Sequence, residues 1–133
     1  MFSHNKKNLN LWYYPLERAK NEPDEVIISD LIVLCFEIKV LADEHLPFHF
    51  TVKAPLNIKL GDLFRSFIDD YNELHPNKII RFIDEKHEPF GWKFFISPSF
   101  FKIRKILDPG RTIRENRLKE NDLITVRKVI TKV

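Results

Sequence analysis

Histidines are the residues of this chain best suited to hold a metal ion, but their spacing argues against a site. His45 and His49 are four residues apart, and His49 lies in a segment that is predicted to be a strand. Four residues of strand separate two side chains by roughly 13 Å, which is too far for one ion. No cysteine or further carboxylate follows at zinc-site spacing. We therefore expect no metal and no cofactor.

Nucleophilic and acid–base chemistry has few candidates. Cys35, the single cysteine, lies in an apolar run, whereas a reactive thiolate needs an electropositive and partly exposed site. Asp69 and Asp70 are adjacent on a predicted helix, so their carboxylates do not converge on one substrate. The three glycines are isolated and form no phosphate-binding loop. The sequence predicts a protein that is not an enzyme.

Basic and aromatic residues are interleaved towards the C-terminus. The aromatic pairs Phe94-Phe95 and Phe100-Phe101 lie among Lys93, Lys102, Arg104 and Lys105. Such a pattern can bind single-stranded nucleic acid, although one Phe of each pair can equally face the core. Residues 91–133 carry 11 Lys and Arg against 4 Asp and Glu, while the whole chain has a net charge of only +3. This asymmetry indicates either an anionic partner or internal charge balance.

The elements that position these residues follow from hydrophobic periodicity. Alternating apolar residues predict two strands, 34–41 and 48–53, joined as a hairpin. Apolar residues at steps of three and four predict a helix from about Leu60 to His75. Segments 79–83 and 92–96 have the composition of strands and predict an inserted hairpin. The polar N-terminus is predicted to be irregular, with the aromatic cluster Trp12-Tyr13-Tyr14 packing on its own domain or on a partner.

The segment 106–126 carries the most specific motif. It combines two turns, a capping box and a closing strand, in Pro109-Gly110, Thr112–Glu115, Asn121-Asp122 and 123–126. With the preceding hairpin and helix, this order resembles the ubiquitin-like β-grasp family. The resemblance implies an α+β fold, in which a mixed sheet of four to five strands packs on one main helix. It also implies that the first and last strands are parallel neighbours.

The same resemblance limits the function. Conjugated members of the family end in Gly-Gly, whereas no glycine follows Gly110 in this chain. A surface valine and histidine of ubiquitin's last strand align with Arg127 and Thr125. We expect a non-conjugated, non-catalytic ubiquitin-like domain that binds other proteins as a scaffold or adaptor. The alternatives are a basic β-grasp module that binds RNA or another polyanion, and a processed ubiquitin-like modifier.

We expect residues 1–30 to be an N-terminal extension and residues 31–133 to be the ubiquitin-like domain, with an insertion at about 78–100. The expected partner is another protein with an acidic or mixed surface. It would contact a basic face with aromatic anchors, formed by Lys105, Arg111, Arg114, Arg117, Arg127, Lys128, Trp92 and Phe101. No apolar run approaches the roughly 20 residues of a membrane span. We expect an intracellular, cytoplasmic protein.

Overall fold

The computed structural model describes residues 10–16, 30–39, 48–96 and 104–129. These residues contain six strands and one helix. In chain order they are β1 (Trp12–Tyr13), β2 (Leu31–Lys39), β3 (Phe48–Pro55), α1 (Leu60–Leu74), β4 (Gly91–Ile96), β5 (Lys105–Ile106) and β6 (Leu123–Val129). The predicted hairpin strands, main helix and closing strand are therefore present, with ends that differ from the sequence-based ones by a few residues.

The strands form one mixed sheet in the order β1-β4-β6-β2-β3. β2 is antiparallel to β3 and parallel to β6, with Phe36 opposite Ile124. The predicted parallel pairing of the first and last long strands is thus confirmed. β4 is antiparallel to β6, and its other edge pairs with both β1 and β5. The fold is α+β with a mixed sheet packed on one helix, as predicted, and it is compatible with a β-grasp.

Phe64, on α1, lies at the centre of the core. Its ring makes edge-on contacts with Trp92 and Phe94, each with ring centroids 5.2 Å apart, and it stacks near Phe36. All four side chains are almost completely buried. The helix presents one apolar stripe to the sheet because Leu60, Phe64 and Ile68 recur every four residues. This packing leaves the opposite face of the sheet without a covering layer among the described residues.

The N-terminal aromatic cluster packs on its own domain. Trp12 pairs with Trp92 in the sheet, and its ring lies 5.4 Å from that of Phe64. Tyr14 stacks on Phe82 with ring centroids 3.9 Å apart and donates a hydrogen bond to Asp69. The segment 10–16 thus belongs to the folded unit. Of the two predicted possibilities, packing on its own domain or on a partner, the structure shows the first.

The predicted strand at 79–83 is wrong. Only Ile83 forms an isolated bridge, with Pro89. The amide of Ile80 instead donates to Oδ1 of Asn72 at 2.7 Å, and its carbonyl accepts from Nδ2 of Asn72 at 3.1 Å. Because one helix side chain satisfies both backbone groups of Ile80, this segment needs no neighbouring strand. The strand predicted at 92–96 is present as β4, between β6 and the two short edge strands.

The capping box is confirmed in both directions. The amide of Glu115 donates to Oγ1 of Thr112 at 3.0 Å, and the amide of Thr112 donates to Oε1 of Glu115 at 2.9 Å. Only one turn follows, because Arg117 adopts a φ of 58°, which ends a right-handed helix. Gly110 does not have a positive φ, so its conformational freedom is not used in the turn.

Asn116 organises this turn from inside. Its Nδ2 donates to the carbonyls of Asp108 at 2.8 Å and Thr112 at 3.0 Å, and its Oδ1 accepts from the amide of Asp108 at 2.9 Å. The residue is 8% exposed. The carbonyls of Arg111 and Pro109 then accept from the amides of Leu60 and Gly61, both at 2.9 Å. The turn therefore caps the start of α1, since Lys59 provides no capping side chain.

Replacing Asn116 with alanine should destabilise the domain by about 1–3 kcal/mol, since the amide of Asp108 loses its acceptor in a buried place. Urea unfolding, followed by circular dichroism, measures this loss. Asn77→Ala, at an exposed position, is the control and should change little. Equal stabilities of the two variants would contradict the structural role of Asn116.

Glu115 gives the turn a pH dependence. Hydrogen bonds from the amide and the hydroxyl of Thr112 lower the pKa of the Glu115 carboxyl below its ordinary 4.5. A lowered folded-state pKa stabilises the domain above the unfolded pKa, and this stabilisation is lost as the pH falls through the folded one. We expect Glu115→Gln to flatten the stability profile below about pH 4.5. Unfolding midpoints of both proteins between pH 3 and 7 test this; parallel profiles would contradict it.

Candidate interaction surface

The predicted partner-binding residues do not form one face. Lys105, Arg111, Arg114, Arg117 and Arg127 are exposed, whereas Lys128 and Trp92 are buried. Phe101 lies outside the described residues. Arg127 lies on β6, and the other three arginines lie in the turns after Asp108. The structure thus places Lys105 and Arg127 on strands of the sheet, and it places Trp92 and Lys128 in the core. We call the remaining three, Arg111, Arg114 and Arg117, the turn group.

Trp92 and Lys128 require a correction. Trp92 has no exposed surface, and its ring packs against Phe64. It is therefore a core residue and not the exposed anchor that the sequence predicted. Lys128 lies opposite Trp92 in the sheet, on the helix-covered side. Its Nζ is 4.4 Å from the ring centroid of Phe90 and 5.4 Å from that of Trp92, so aromatic faces compensate part of the cost of burying its charge.

Two of the three arginines in the turns after Asp108 lie beside carboxylates of the same chain. Arg111 Nε is 3.5 Å from Oδ2 of Asp108, and Arg114 Nη2 is 3.8 Å from Oδ2 of Asp30. These exposed ion pairs add little to stability. They do reduce the net positive potential that the turns present, so the turn group is a weaker candidate for an acidic partner.

The uncovered face of the sheet carries a denser group of positive charge. Lys39 is opposite Arg127 on the neighbouring strand, and Arg127 is opposite Lys93 on the next one. Their strand neighbours Ile38, Val126 and Phe94 are buried in the core. Since side chains alternate along a strand, the three basic residues point away from the helix. We call Lys39, Arg127 and Lys93 the basic row.

The basic row places like charges on adjacent strands. Side chains directly opposite each other have Cβ atoms about 4.5–5.5 Å apart, and like charges at this distance destabilise a sheet. Within the described part of the chain, none of the three makes an ion pair. This arrangement is unfavourable for the isolated domain and favourable for an acidic partner.

Apolar side chains lie beside the basic row. Phe95 lies two residues after Lys93 on the same face of β4, and Ile106 is opposite Phe95 on β5. Ile106 is 46% exposed, and Leu123, which is 48% exposed, lies farther away on the same face of β6, four residues before Arg127. The guanidinium of Arg104 lies 5.7 Å from the ring centroid of Phe95. Basic and exposed apolar residues side by side are typical of protein-binding surfaces.

Sequence reasoning missed Lys39 and Lys93 as site residues. Both occupy polar positions of strands that the alternation predicted, and Arg127 was identified. The missing information was the register, which places the three on one line across β2, β6 and β4. Register follows from which apolar residues face the helix. If Ile38, Val126 and Phe94 are aligned as neighbours on the buried face, the next residue of β2 and β6 and the preceding residue of β4 are aligned on the opposite face. These residues form the basic row.

Two kinds of site have no counterpart among the described residues. They contain no group of three or more His, Cys, Asp or Glu side chains arranged to hold a metal ion. The only helix found in these ranges is too short and too polar to cross a membrane.

The chain matches a family of known proteins. Residues 7–129 match the family described as "Type VI secretion system, TssN". A comparison with curated proteins finds no match for this chain. The family match spans the extension, the sheet, the helix and the C-terminal turns, so it covers the whole described fold. The chain belongs to the TssN family of the type VI secretion system.

Proposed function

We propose that this type VI secretion component is a non-catalytic adaptor, which binds an acidic surface of another protein through the uncovered face of its sheet. The basic row is the observation that carries this proposal. Its three like charges are unfavourable in the isolated domain, and an acidic partner would turn that cost into binding free energy.

The neighbouring apolar residues favour a protein over a nucleic acid. Ile106 and Leu123 are aliphatic and cannot stack on bases, whereas aliphatic side chains pack well against apolar residues of another protein. Two aromatic residues are described on this face near the basic row, Phe95 and Tyr13, and the guanidinium of Arg104 lies 5.7 Å from the ring centroid of Phe95. RNA binding is therefore the competing outcome of the test and not the proposal.

Site-specific photocrosslinking in the host tests this function. A photoreactive phenylalanine analogue at Thr125, which lies between Glu37 and Phe95 on the uncovered face, should crosslink to another component of the secretion apparatus. The same analogue at Glu73, an exposed residue of α1, is the matched control and should not. Adducts are identified by mass spectrometry after nuclease treatment. A nucleic-acid adduct at Thr125, or the same protein adducts at both positions, would contradict the proposal.

Charge reversal within the basic row should affect stability and binding in opposite directions. Arg127→Glu converts two repulsive pairs into attractive ones, and opposite-charge cross-strand pairs contribute roughly 0.2–1 kcal/mol each. We expect a higher unfolding midpoint in urea together with loss of the Thr125 crosslink. Arg127→Gln should have intermediate effects on both.

Arg114→Glu, in the turn group, is the control for the change in net charge. It removes the contact with Asp30 and should leave the crosslink intact. If Arg127→Glu lowers stability, repulsion within the basic row is not a significant cost.

A further inference from the structure

The spacing of the basic row indicates the shape of its partner. The row runs across three strands, and neighbouring strands lie about 4.8 Å apart, so its ends are separated by roughly 10 Å. Every charge in the row projects from the same face. A partner must therefore offer carboxylates at steps of about 5 Å along one side.

An α-helix has this spacing and an extended strand does not. Acidic residues at i, i+4 and i+7 of a helix lie on one side and span about 10.5 Å along its axis. Same-side residues i, i+2 and i+4 of a strand span roughly 13 Å. A helix thus matches the strand-to-strand steps of the row, whereas a strand runs out of register with Lys39 or Lys93.

Backbone hydrogen bonding leads to the same choice. A segment that lies along the basic row crosses the strands, so it cannot join the ladder of the sheet. An extended segment in this orientation would gain no hydrogen bonds from the sheet and would leave its amides and carbonyls to water. A helix satisfies these groups internally and can lie in any direction across a sheet.

The apolar residues define the second side of this helix. Phe95 and Ile106 lie two residues along the strands from Lys93, which is about 6.8 Å from the basic row. A helix with its side chains is about 10–12 Å wide and covers both. We infer, on the basis of the proposed function, that the partner contributes an amphipathic helix with an acidic stripe over the basic row and an adjacent apolar stripe over Phe95 and Ile106.

Synthetic peptides test this inference with the full chain. The first peptide is helical, with Glu at i, i+4 and i+7 beside a Leu stripe. The second has the same composition with the Glu stripe moved to the opposite side of the helix. The third places the same Glu residues at i, i+2 and i+4 in a β-prone sequence. Fluorescence anisotropy measures each dissociation constant at low and at physiological salt.

We expect the first peptide to bind at least about tenfold more tightly than the others, and more weakly as salt rises. Arg127→Glu should reduce its affinity by about tenfold or more, whereas Arg114→Glu should change it less than about twofold. Replacing the central Glu of the peptide with Lys should restore binding to Arg127→Glu. Circular dichroism verifies that each variant folds, and Arg127→Gln serves in place of any reversal that does not.

Equal binding of the second or third peptide, or failure of the exchanged pair to rescue, would overturn the inference. If no peptide binds while the Thr125 crosslink to another secretion component persists, the helix is wrong and the proposed function stands. If the crosslink is also lost to the same extent in Arg114→Glu, the proposed function fails as well.

Discussion

Phe64→Ala should destabilise the domain by about 3–5 kcal/mol, the largest effect that we expect from any single substitution. The side chain is completely buried, and its ring contacts aromatic residues of α1, β1, β2 and β4. Each aromatic pair adds roughly 0.5–1.5 kcal/mol beyond the burial of area. Since small domains are stable by only about 5–15 kcal/mol, this loss is a large fraction of the whole free energy of unfolding.

Urea unfolding at several temperatures measures this loss. Phe64→Leu is the matched control because it keeps more of the volume and also removes the ring contacts, and we expect a loss smaller than that of Phe64→Ala. The difference between Ala and Leu then isolates the cavity. A loss below about 1.5 kcal/mol for Phe64→Ala would place the centre of the core elsewhere.

The parts of the fold that sequence predicted are those with a local period. The apolar residues alternate in β2 and β3 and recur at steps of three and four in α1. Each pattern marks the buried side of its element, so the sequence alone predicts the element and its orientation. The capping box was predictable because both of its partners, Thr112 and Glu115, are three residues apart. The parallel pairing of β2 and β6 came from the resemblance, since no local signal links residues about 90 apart.

The errors have tertiary causes. Ile79, Ile80 and Ile83 have strand composition, but Asn72 on α1 occupies the hydrogen-bonding groups of Ile80. Lys128 looks like a surface residue because nothing in the local sequence shows that Phe90 and Trp92 will enclose it. In both cases a side chain from another element of the fold satisfies a polar group. Pattern analysis of a single chain does not detect such contacts.

The candidate site also depends on tertiary structure that the local sequence does not reveal. Arg127 was predictable as an exposed position, but its proposed role depends on Lys39 and Lys93, which flank it on the two neighbouring strands. A charge asymmetry in the composition suggested an anionic partner without giving its place. The register of three strands concentrates the charge on one line, and this concentration is the basis of the proposed interaction surface.

The docking of β1 gives the second large effect, through the contact between Trp12 and Gly61. A Cβ on Gly61 would lie 2.5 Å from both Cδ1 and Nε1 of Trp12, and 3.2 Å from the carbonyl oxygen of Pro109. Atoms do not approach this closely, so any side chain at position 61 must displace the indole. Gly61 is the second residue of α1, where alanine would otherwise be favoured by about 0.5–1 kcal/mol.

The effect of Gly61→Ala should therefore change sign with the residue at position 12. In the natural chain we expect it to destabilise the domain by about 1–2 kcal/mol, because Trp12 loses its contacts with Phe64 and Phe94. In a Trp12→Ala background the clash with the indole is absent and only the 3.2 Å approach to the carbonyl oxygen of Pro109 remains, so the same substitution should stabilise by at most about 0.5–1 kcal/mol. Urea unfolding of the four proteins gives the coupling energy, and Ser66→Ala on the exposed side of α1 should stabilise equally in both backgrounds. Additive effects of the two substitutions would mean that β1 does not occupy the groove above Gly61, and the segment 10–16 would then be available to another protein.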